Sequence, residues 1–314
     1  MPQPDIFATA WVAADWGSTN LRLWLLGETG EVIRAISDPR GAAELSGAGF
    51  EATLRELLAP VLAVKRSGPL EVIACGMLGA RQGWAEAAYL RVPAPPVDMG
   101  RALVVPDTGA DLRVRILPGL RQDDPPDVMR GEETQIGGLI AADPGYDGIV
   151  CLPGTHSKWA RVTDGAVQSF ATCMTGELFA LLSDRSVLRH SVGKGAWDDA
   201  SFDAAAAETL SRPERLTPAL FGIRAGALLK NAGPAQGTAR LSGLLIGAEI
   251  GAMRPVWSGL PVTVLGAKAI SDSYARVLSV AGASVTLVDA EGATLRGLGA
   301  AYRQMKGHPE WSAT

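Results

Sequence analysis

The sequence predicts a two-lobed α/β protein, built from duplicated domains, with a ligand between the lobes. Three observations carry that expectation. The chain has 314 residues, a length that suits two domains. Short apolar strands alternate with stretches of helical periodicity. A strand–turn–strand–turn–strand pattern near the N-terminus recurs in the second half. Hydrophobic residues make up 47% and charged residues 20%, enough apolar material for real cores, which excludes the disordered and fibrous classes.

The first half opens with three strands. Trp11 to Asp15 is a short apolar run ending in an acid, Trp16 to Asn20 (WGSTN) is a turn, and Leu21 to Leu26 (LRLWLL) is a second strand with Arg22 and Trp24 on one face. The turn at Gly27 to Gly30 leads to a third strand, Glu31 to Ile36. Phe50, Leu54, Leu57 and Leu58 then recur at helical spacing, and Pro60 is expected to end that helix. Leu70 to Cys75 reads as a buried strand with a loop, Gly76 to Gly79, at its C-terminal end; Leu103 to Val105 and Val114 to Leu117 read as further strands. The run QDDPPD, 122–127, is the clearest break. Glu132 to Ala142 reads as a helix with acids in its first turn, where the helix dipole favours them.

The second half restarts the theme. Gly148 to Leu152 is a strand, Pro153 to Ser157 (PGTHS) a turn, Lys158 to Val162 a strand, Thr163 to Gly165 a hairpin turn, and Ala166 to Phe170 another strand. Helices dominate from about Thr175 to Met253. Pro261 to Leu265 and Ser284 to Val288 are strands separated by a helix from about Ser271 to Ala281, and a last helix runs from Gly292 to Gln304. The pairs Gly17-Ser18 and Gly154-Thr155 fall at equivalent places in the repeat.

Composition and punctuation exclude several classes. Lys plus Arg is 29 and Asp plus Glu is 33, a net charge of −4, and no basic run occurs, so nucleic acid is not an expected partner. Cys75, Cys151 and Cys173 are too few and too scattered for a disulfide framework or a paired metal site, and a reducing cytoplasm is expected. Met1 to Thr9 has no basic start followed by an apolar stretch, and no window approaches the roughly 20 apolar residues of a membrane helix, so no membrane partner is expected.

The two matched turns carry the chemistry. Backbone N–H groups of a tight glycine–hydroxyl turn form a concavity suited to phosphate oxygens, and the hydroxyl adds a donor. Gly17, Ser18 and Thr19 in one turn and Gly154 and Thr155 in the other suit a triphosphate held from two sides. Asp15 suits Mg²⁺, which takes one or two carboxylates with water and phosphate. No GxxxxGK[ST] occurs, since Gly193-Lys194-Gly195 lacks the spacing, and no GxGxxG occurs. His156 beside Ser157 is a weak hydrolase signal without a GxSxG turn.

At these residues the chain resembles a known superfamily. The Asp15 to Thr19 turn and Gly154-Thr155 are similar to the first and second phosphate loops of the actin, sugar-kinase and heat-shock ATPase superfamily, and Val262 to Ala267 followed by a helix is similar to its adenosine motif. The ordered set DWGSTNLRLW, GMLGARQGW, RGEETQ, LPGTHSKW, CMTGELFALL and LSGLLIGAEI resembles the 2-dehydro-3-deoxygalactonokinase family from about Ala14 to Tyr302.

The resemblance implies an actin-like (ribonuclease H-like) ATPase fold with a nucleotide cleft between duplicated lobes, and phosphorylation of the 6-hydroxyl of 2-dehydro-3-deoxy-D-galactonate by ATP with Mg²⁺. Residues 1–130, rejoined by 291–314, would form one lobe and 131–290 the other; closure of the lobes would exclude water. The superfamily's base is an aspartate at the start of the helix before the second loop, which carries over to Glu133, with Glu132 in reserve; both are a methylene longer than the family residue. Pro153 stands where many members carry an acid. Gly266 and Ala267 would lie against adenosine. Lys158 supplies positive charge near the phosphates or lies exposed on its strand. Arg81 or Arg22 would meet the sugar acid's carboxylate, as a guanidinium fork matches a carboxylate. Gln82, Trp84, Thr175 and Glu177 are further substrate candidates, though Thr175 and Glu177 also read as a plain helix start. A kinase of the same fold acting on another sugar, and a nucleotide-dependent switch ATPase, remain alternatives.

Overall fold

In a computed structural model, residues 6–193 and 197–307 are described. Lys194 and Gly195 of the Gly-Lys-Gly run, and the end of the expected 291–314 segment beyond 307, lie outside the described residues. In chain order the elements are β1 (Trp11–Trp16), β2 (Leu21–Leu26), β3 (Val32–Asp38), α1 (Ala48–Leu62), β4 (Leu70–Gly76), β5 (Tyr89–Arg91), β6 (Leu103–Val104), β7 (Leu112–Ile116), β8 (Gly119–Asp123), β9 (Pro126–Met129) and α2 (Glu132–Ala142). There follow β10 (Gly148–Leu152), β11 (Ser157–Thr163), β12 (Ala166–Cys173), α3 (Thr175–Arg185), α4 (Asp199–Ser211), α5 (Leu216–Leu229), α6 (Pro234–Ala252), α7 (Arg254–Trp257), β13 (Val262–Gly266), α8 (Lys268–Val280), β14 (Val285–Asp289) and α9 (Ala290–Lys306).

The chain divides into two compact units, 1–146 with 163–169 and 290–314, and 147–162 with 170–289. The sequence boundary at 130 and this division at 146 differ by the helix α2, which packs along α9 within the first unit. The hairpin tip 163–169 also belongs to that unit, where Val167 forms a β-bridge with Ala94.

Each unit is built on a sheet of the same design. In the first the strand order is β3-β2-β1-β4-β7-β6; in the second it is β12-β11-β10-β13-β14. In both, the leading strand pairs antiparallel with its hairpin partner on one side and parallel with a crossover strand on the other. The repeat in the sequence is this shared topology.

A sheet with parallel strands at its centre needs both faces covered. Val12, Ala14, Leu23, Leu25, Val72 and Ala74 face Phe50, Leu54 and Leu58 of α1. The alternate residues Trp11, Ala13, Trp24, Ile73 and Cys75 face Leu298, Ala301 and Tyr302 of α9. Trp11 stacks on Tyr302 with ring centroids 4.3 Å apart. In the second unit Ile149, Cys151, Trp159, Val262 and Val264 pack with Phe202 of α4, Ile246 and Ile250 of α6, and Tyr274 of α8. Trp24 and Trp159 are therefore core residues, 3% and 0% exposed.

Two local expectations are corrected. The helix α1 continues past Pro60 to Leu62, because the N–H that proline lacks falls in the last turn and costs a single bond. The polar run 122–127 is a hairpin, with Gln122 opposite Asp127 and Asp123 opposite Pro126. It lacks apolar alternation because this small β5-β8-β9 sheet exposes most of those side chains.

Helix α2 approaches α9 at backbone distance. A Cβ on Gly138 would stand 1.8 Å from the carbonyl oxygen of Ala293, and one on Gly297 would stand 2.0 Å from that of Thr134. Gly138→Ala is expected to cost about 1–3 kcal/mol through forced displacement, read as a fall in Tm of several degrees. Gly222→Ala, at a helical glycine with nothing within 4 Å of the added carbon, should hold or raise Tm. Equal melting of the two variants would remove the contact as a constraint.

Candidate active site

In the first unit the C-terminal ends of the parallel pair β1 and β4 bring Asp15 beside Cys75 and Trp16 beside Gly76. Asp15 also faces Arg22 across the hairpin and pairs with it at 2.5 Å. The Cys75 thiol lies 3.8 Å from the other oxygen of Asp15. Burial pushes this thiol up, as do the carboxylates of Asp15 and Glu133, against a hydrogen bond from Thr134.

The turn after β1 is pinned from outside. Gly17 N donates to Asn20 O at 2.9 Å, and Gly17 and Ser18 give their carbonyls to Ala42 N and Ala43 N at 2.9 and 3.0 Å. With those carbonyls engaged, Ser18, Thr19 and Asn20 stand exposed. Asp15, Gly17, Thr19, Arg22, Ser37 and Asp38 line a concavity of about 550 Å³.

Glu133 starts α2 and is 1% exposed. Its two carboxyl oxygens accept from Gly131 N at 2.9 and 2.7 Å, and the Thr134 hydroxyl donates to one of them at 3.2 Å. Gly131 adopts φ +107°, and Gly76 Cα lies 3.4 Å from where its Cβ would stand, so the turn into α2 closes tightly on the end of β4. Burial is the largest influence on Glu133 and neighbouring Glu132 the next; together they push its carboxyl up to about 8 against the Gly131 N–H and Arg130. Glu132 is half-buried and accepts from Arg130 N at 3.0 Å. The structure thus separates two glutamates that spacing alone left together.

Of the substrate candidates, Arg22 is committed to Asp15 and lies 3.8 Å from Glu291. Arg81 and Gln82 are exposed on the loop after β4. Trp84 is half-buried and stacks on Phe50 with centroids 6.0 Å apart, so it holds that loop to the core. Arg130 supports the same loop from beneath, donating to Ala87 O at 2.7 Å and to the Tyr89 hydroxyl at 3.2 Å.

In the second unit the turn after β10 is held by α3. A Cβ on Gly176 would meet Gly154 O at 2.3 Å, Glu177 N donates to Thr155 O at 3.0 Å, and the Glu177 carboxylate bonds His156 Nε2 at 2.6 Å. Thr175 and Glu177 therefore sit with the second turn, and Glu177 occupies His156. Gly154, Thr155 and His156 are exposed, whereas Lys158 is only 4% exposed, with its ammonium 3.4 Å from His156 O. The surface-lysine alternative does not hold.

Beside Gly154 opens a largely apolar cavity of about 310 Å³, lined by Thr175 and Phe179 of α3, Trp197, Leu245 of α6, and Ile270 and Tyr274 of α8. Gly266 is buried against Pro153 and Ser271, and Ala267 is exposed as the N-cap of α8. These two residues end the strand and start the helix; of the cavity's lining, sequence reasoning named Gly154 and Thr175 and missed Phe179, Trp197, Leu245, Ile270 and Tyr274. The missed residues come from α3, α6, α8 and the segment before α4, so no local motif spells them. Cys75 and Thr134 were also missed, though the strand end next to Asp15 and the RGEETQ run signalled both places.

Two turns of this kind on duplicated hairpin sheets, one beside an apolar cavity and one beside a buried carboxyl, are the actin-like ATPase fold in its carbohydrate-kinase form. The chain belongs to the 2-keto-3-deoxy-galactonokinase family, whose sequence profile matches residues 15–301. It is 42% identical over 300 residues to a Rhizobium meliloti protein named "Probable 2-dehydro-3-deoxygalactonokinase", covering 93% of this chain and 96% of that one. It is 34% identical over 291 residues to the Escherichia coli 2-dehydro-3-deoxygalactonokinase, covering 92% and 96%. A crystal structure of a Sinorhizobium meliloti protein assigned the same activity superposes with a TM-score of 0.87 at 41% identity, over 94% of this chain and 99% of that one.

Because Glu133 holds its proton up to about pH 8, the folded chain binds a proton there that the unfolded chain has released above about 4.5. That contribution to stability is full at low pH and is lost as pH rises toward 8. Relative to wild type, Glu133→Gln should therefore gain Tm progressively between pH 5 and 8.5. A pH-independent difference between the two melting curves would refute the raised proton affinity.

Proposed function

We propose that the protein transfers the terminal phosphoryl group of ATP to the 6-hydroxyl of 2-dehydro-3-deoxy-D-galactonate, as a cytoplasmic step in galactonate breakdown. Family membership supports the reaction, and the Glu133 carboxyl supports its chemistry. Three free cysteines and the lack, among the described residues, of any helix long and apolar enough to cross a membrane accord with that compartment.

In this reading the ionised form of Glu133 takes the proton of the 6-hydroxyl as the hydroxyl oxygen attacks the terminal phosphorus, and the bond from that phosphorus to the bridging oxygen breaks to release ADP. Burial raises the proton affinity of Glu133, which matches a base to a poor acid better than an exposed carboxylate would. The helix start and the Gly131 N–H orient it. Glu132, turned to Arg130 N, fixes the turn instead.

The second unit binds the nucleotide. The nucleoside enters the cavity formed by α3, α6 and α8, and the turn at Gly154-Thr155, with Lys158 behind it, receives phosphate oxygens. Gly17, Ser18 and Thr19 offer the matching turn on the first unit. Asp15 is the residue suited to Mg²⁺: it is a carboxylate at a polar concavity, and among the described residues no cluster of three His, Cys, Asp or Glu forms a closed cage, as befits an ion that takes few carboxylates. Mg²⁺ there would neutralise charge on the phosphates. Arg81 is the group for the sugar acid's carboxylate, since Arg22 is taken by Asp15.

ADP release coupled to Mg-ATP turnover, measured against 2-dehydro-3-deoxy-galactonate, its gluconate epimer, galactonate and glucose, tests the reading. Turnover confined to the deoxy-keto acid is expected; turnover with another sugar replaces the substrate, and none with any sugar rejects the reading. Glu133→Gln should lower kcat by at least about 100-fold, the lower bound for a general base, with ADP binding retained. Arg81→Ala should raise KM for the sugar acid and leave KM for ATP unchanged.

A further inference from the structure

The segment Leu241–Ile250 in α6 contains one acid in an apolar surround. Two of its glycines explain one face of the helix: a Cβ on Gly243 would lie 2.4 Å from Phe202 O, and one on Gly247 would lie 2.3 Å from Ala206 O, so α4 packs there. Glu249 is 5% exposed. Its Oε2 accepts from Ser157 Oγ at 3.0 Å and from the Tyr274 hydroxyl at 2.7 Å, and its Oε1 accepts from Trp159 Nε1 at 2.8 Å. Ser157 Oγ and the Tyr274 hydroxyl are themselves 3.1 Å apart.

A buried carboxylate is costly, and an apolar side chain against apolar partners would fill the same space without that cost. What the carboxylate adds is direction. Ser157 closes the turn that begins at Gly154, and Tyr274 forms part of the wall of the cavity. One side chain from α6 thus ties the end of the second turn on β11 to the wall of the cavity on α8.

We propose that Glu249 is a positioning residue for nucleotide binding, holding the Gly154-Thr155 turn in fixed relation to the cavity through Ser157 and Tyr274. This rests on the reading of that cavity as the nucleoside site. Glu249 touches no reacting group, so its effect falls on nucleotide affinity and not on the sugar acid.

The test uses the full chain, with the Kd for Mg-ADP by calorimetry, KM for ATP and for the sugar acid, and Tm. Ser157 does not line the cavity, so Ser157→Ala removes one spoke without touching ligand. It should raise the Kd for Mg-ADP and the KM for ATP by about 2- to 10-fold, the factor one hydrogen bond carries, with KM for the sugar acid unchanged. Glu249→Gln should do more, and the double variant no more than Glu249→Gln alone, because the two act through one network. Should Glu249→Gln fail to fold, Ser157→Ala decides. A fall in Tm with Kd for Mg-ADP unchanged would make the network structural and overturn the proposal. Ala269→Trp, an exposed α8 residue at the cavity, separates the two readings. If it leaves ADP binding intact, the nucleoside reading falls and the positioning role with it. If it abolishes binding while Ser157→Ala and Glu249→Gln do not weaken it, the positioning role alone falls.

Discussion

The backbone contact of α2 with α9 is the constraint on which the first unit's site depends. With Gly138 against Ala293 and Gly297 against Thr134, neither helix can carry a side chain at the crossing, and neither can slide without a clash. The crossing fixes the N-terminus of α2 at the ends of β1 and β4, where Gly131 turns against Gly76. Glu133 has no solvent to turn to from that place. The other face of α9 carries Leu298 and Tyr302 onto the sheet, so the same helix that covers the core also sets the depth of the acid.

That depth decides the chemistry. Two acids in the first turn of a helix would ordinarily both be held in the charged form by the dipole and the free N–H groups. Glu132 is half-buried and accepts from Arg130 N. For Glu133 burial and the charge of its neighbour outweigh the Gly131 N–H and Arg130, and the proton is retained to about pH 8. The difference between adjacent residues comes from which side of the helix each occupies.

The topology was legible in the sequence because it is written locally. Each hairpin turn has its glycine, each central strand its apolar run, and the repeat of both revealed the duplicated sheet. Glu133 and Glu132 were found as a pair, since a first-turn acid pattern is local as well; which one is buried depends on how α2 docks against the end of β4, more than 50 residues earlier, and could not be read. Most of the residues lining the apolar cavity escaped for the same reason: they come from α3, α6 and α8, while Gly266 and Ala267 mark the strand–helix junction. Trp84, named beside Arg81 as a substrate candidate, stacks on Phe50. Its aromatic partner lies 34 residues earlier on α1, beyond the reach of any local pattern. The hairpin at 122–127 escaped because its strands expose both faces.

The duplicated hairpins share a topology and differ in register and charge. In the first, Asp15 faces Arg22 across the strands just before the turn. In the second, the last pair before the turn is Leu152 with Lys158. A cation thus lies near each turn, Arg22 one pair behind the closing pair of Trp16 with Leu21 and Lys158 in the closing pair itself, and only the first faces a carboxylate across its hairpin. Lys158 is buried, where a fixed charge acts more strongly than one in water. Pro153, standing where many family members carry an acid, packs against Gly266, and the carboxylate that reaches the second turn is that of Glu177, bonded to His156.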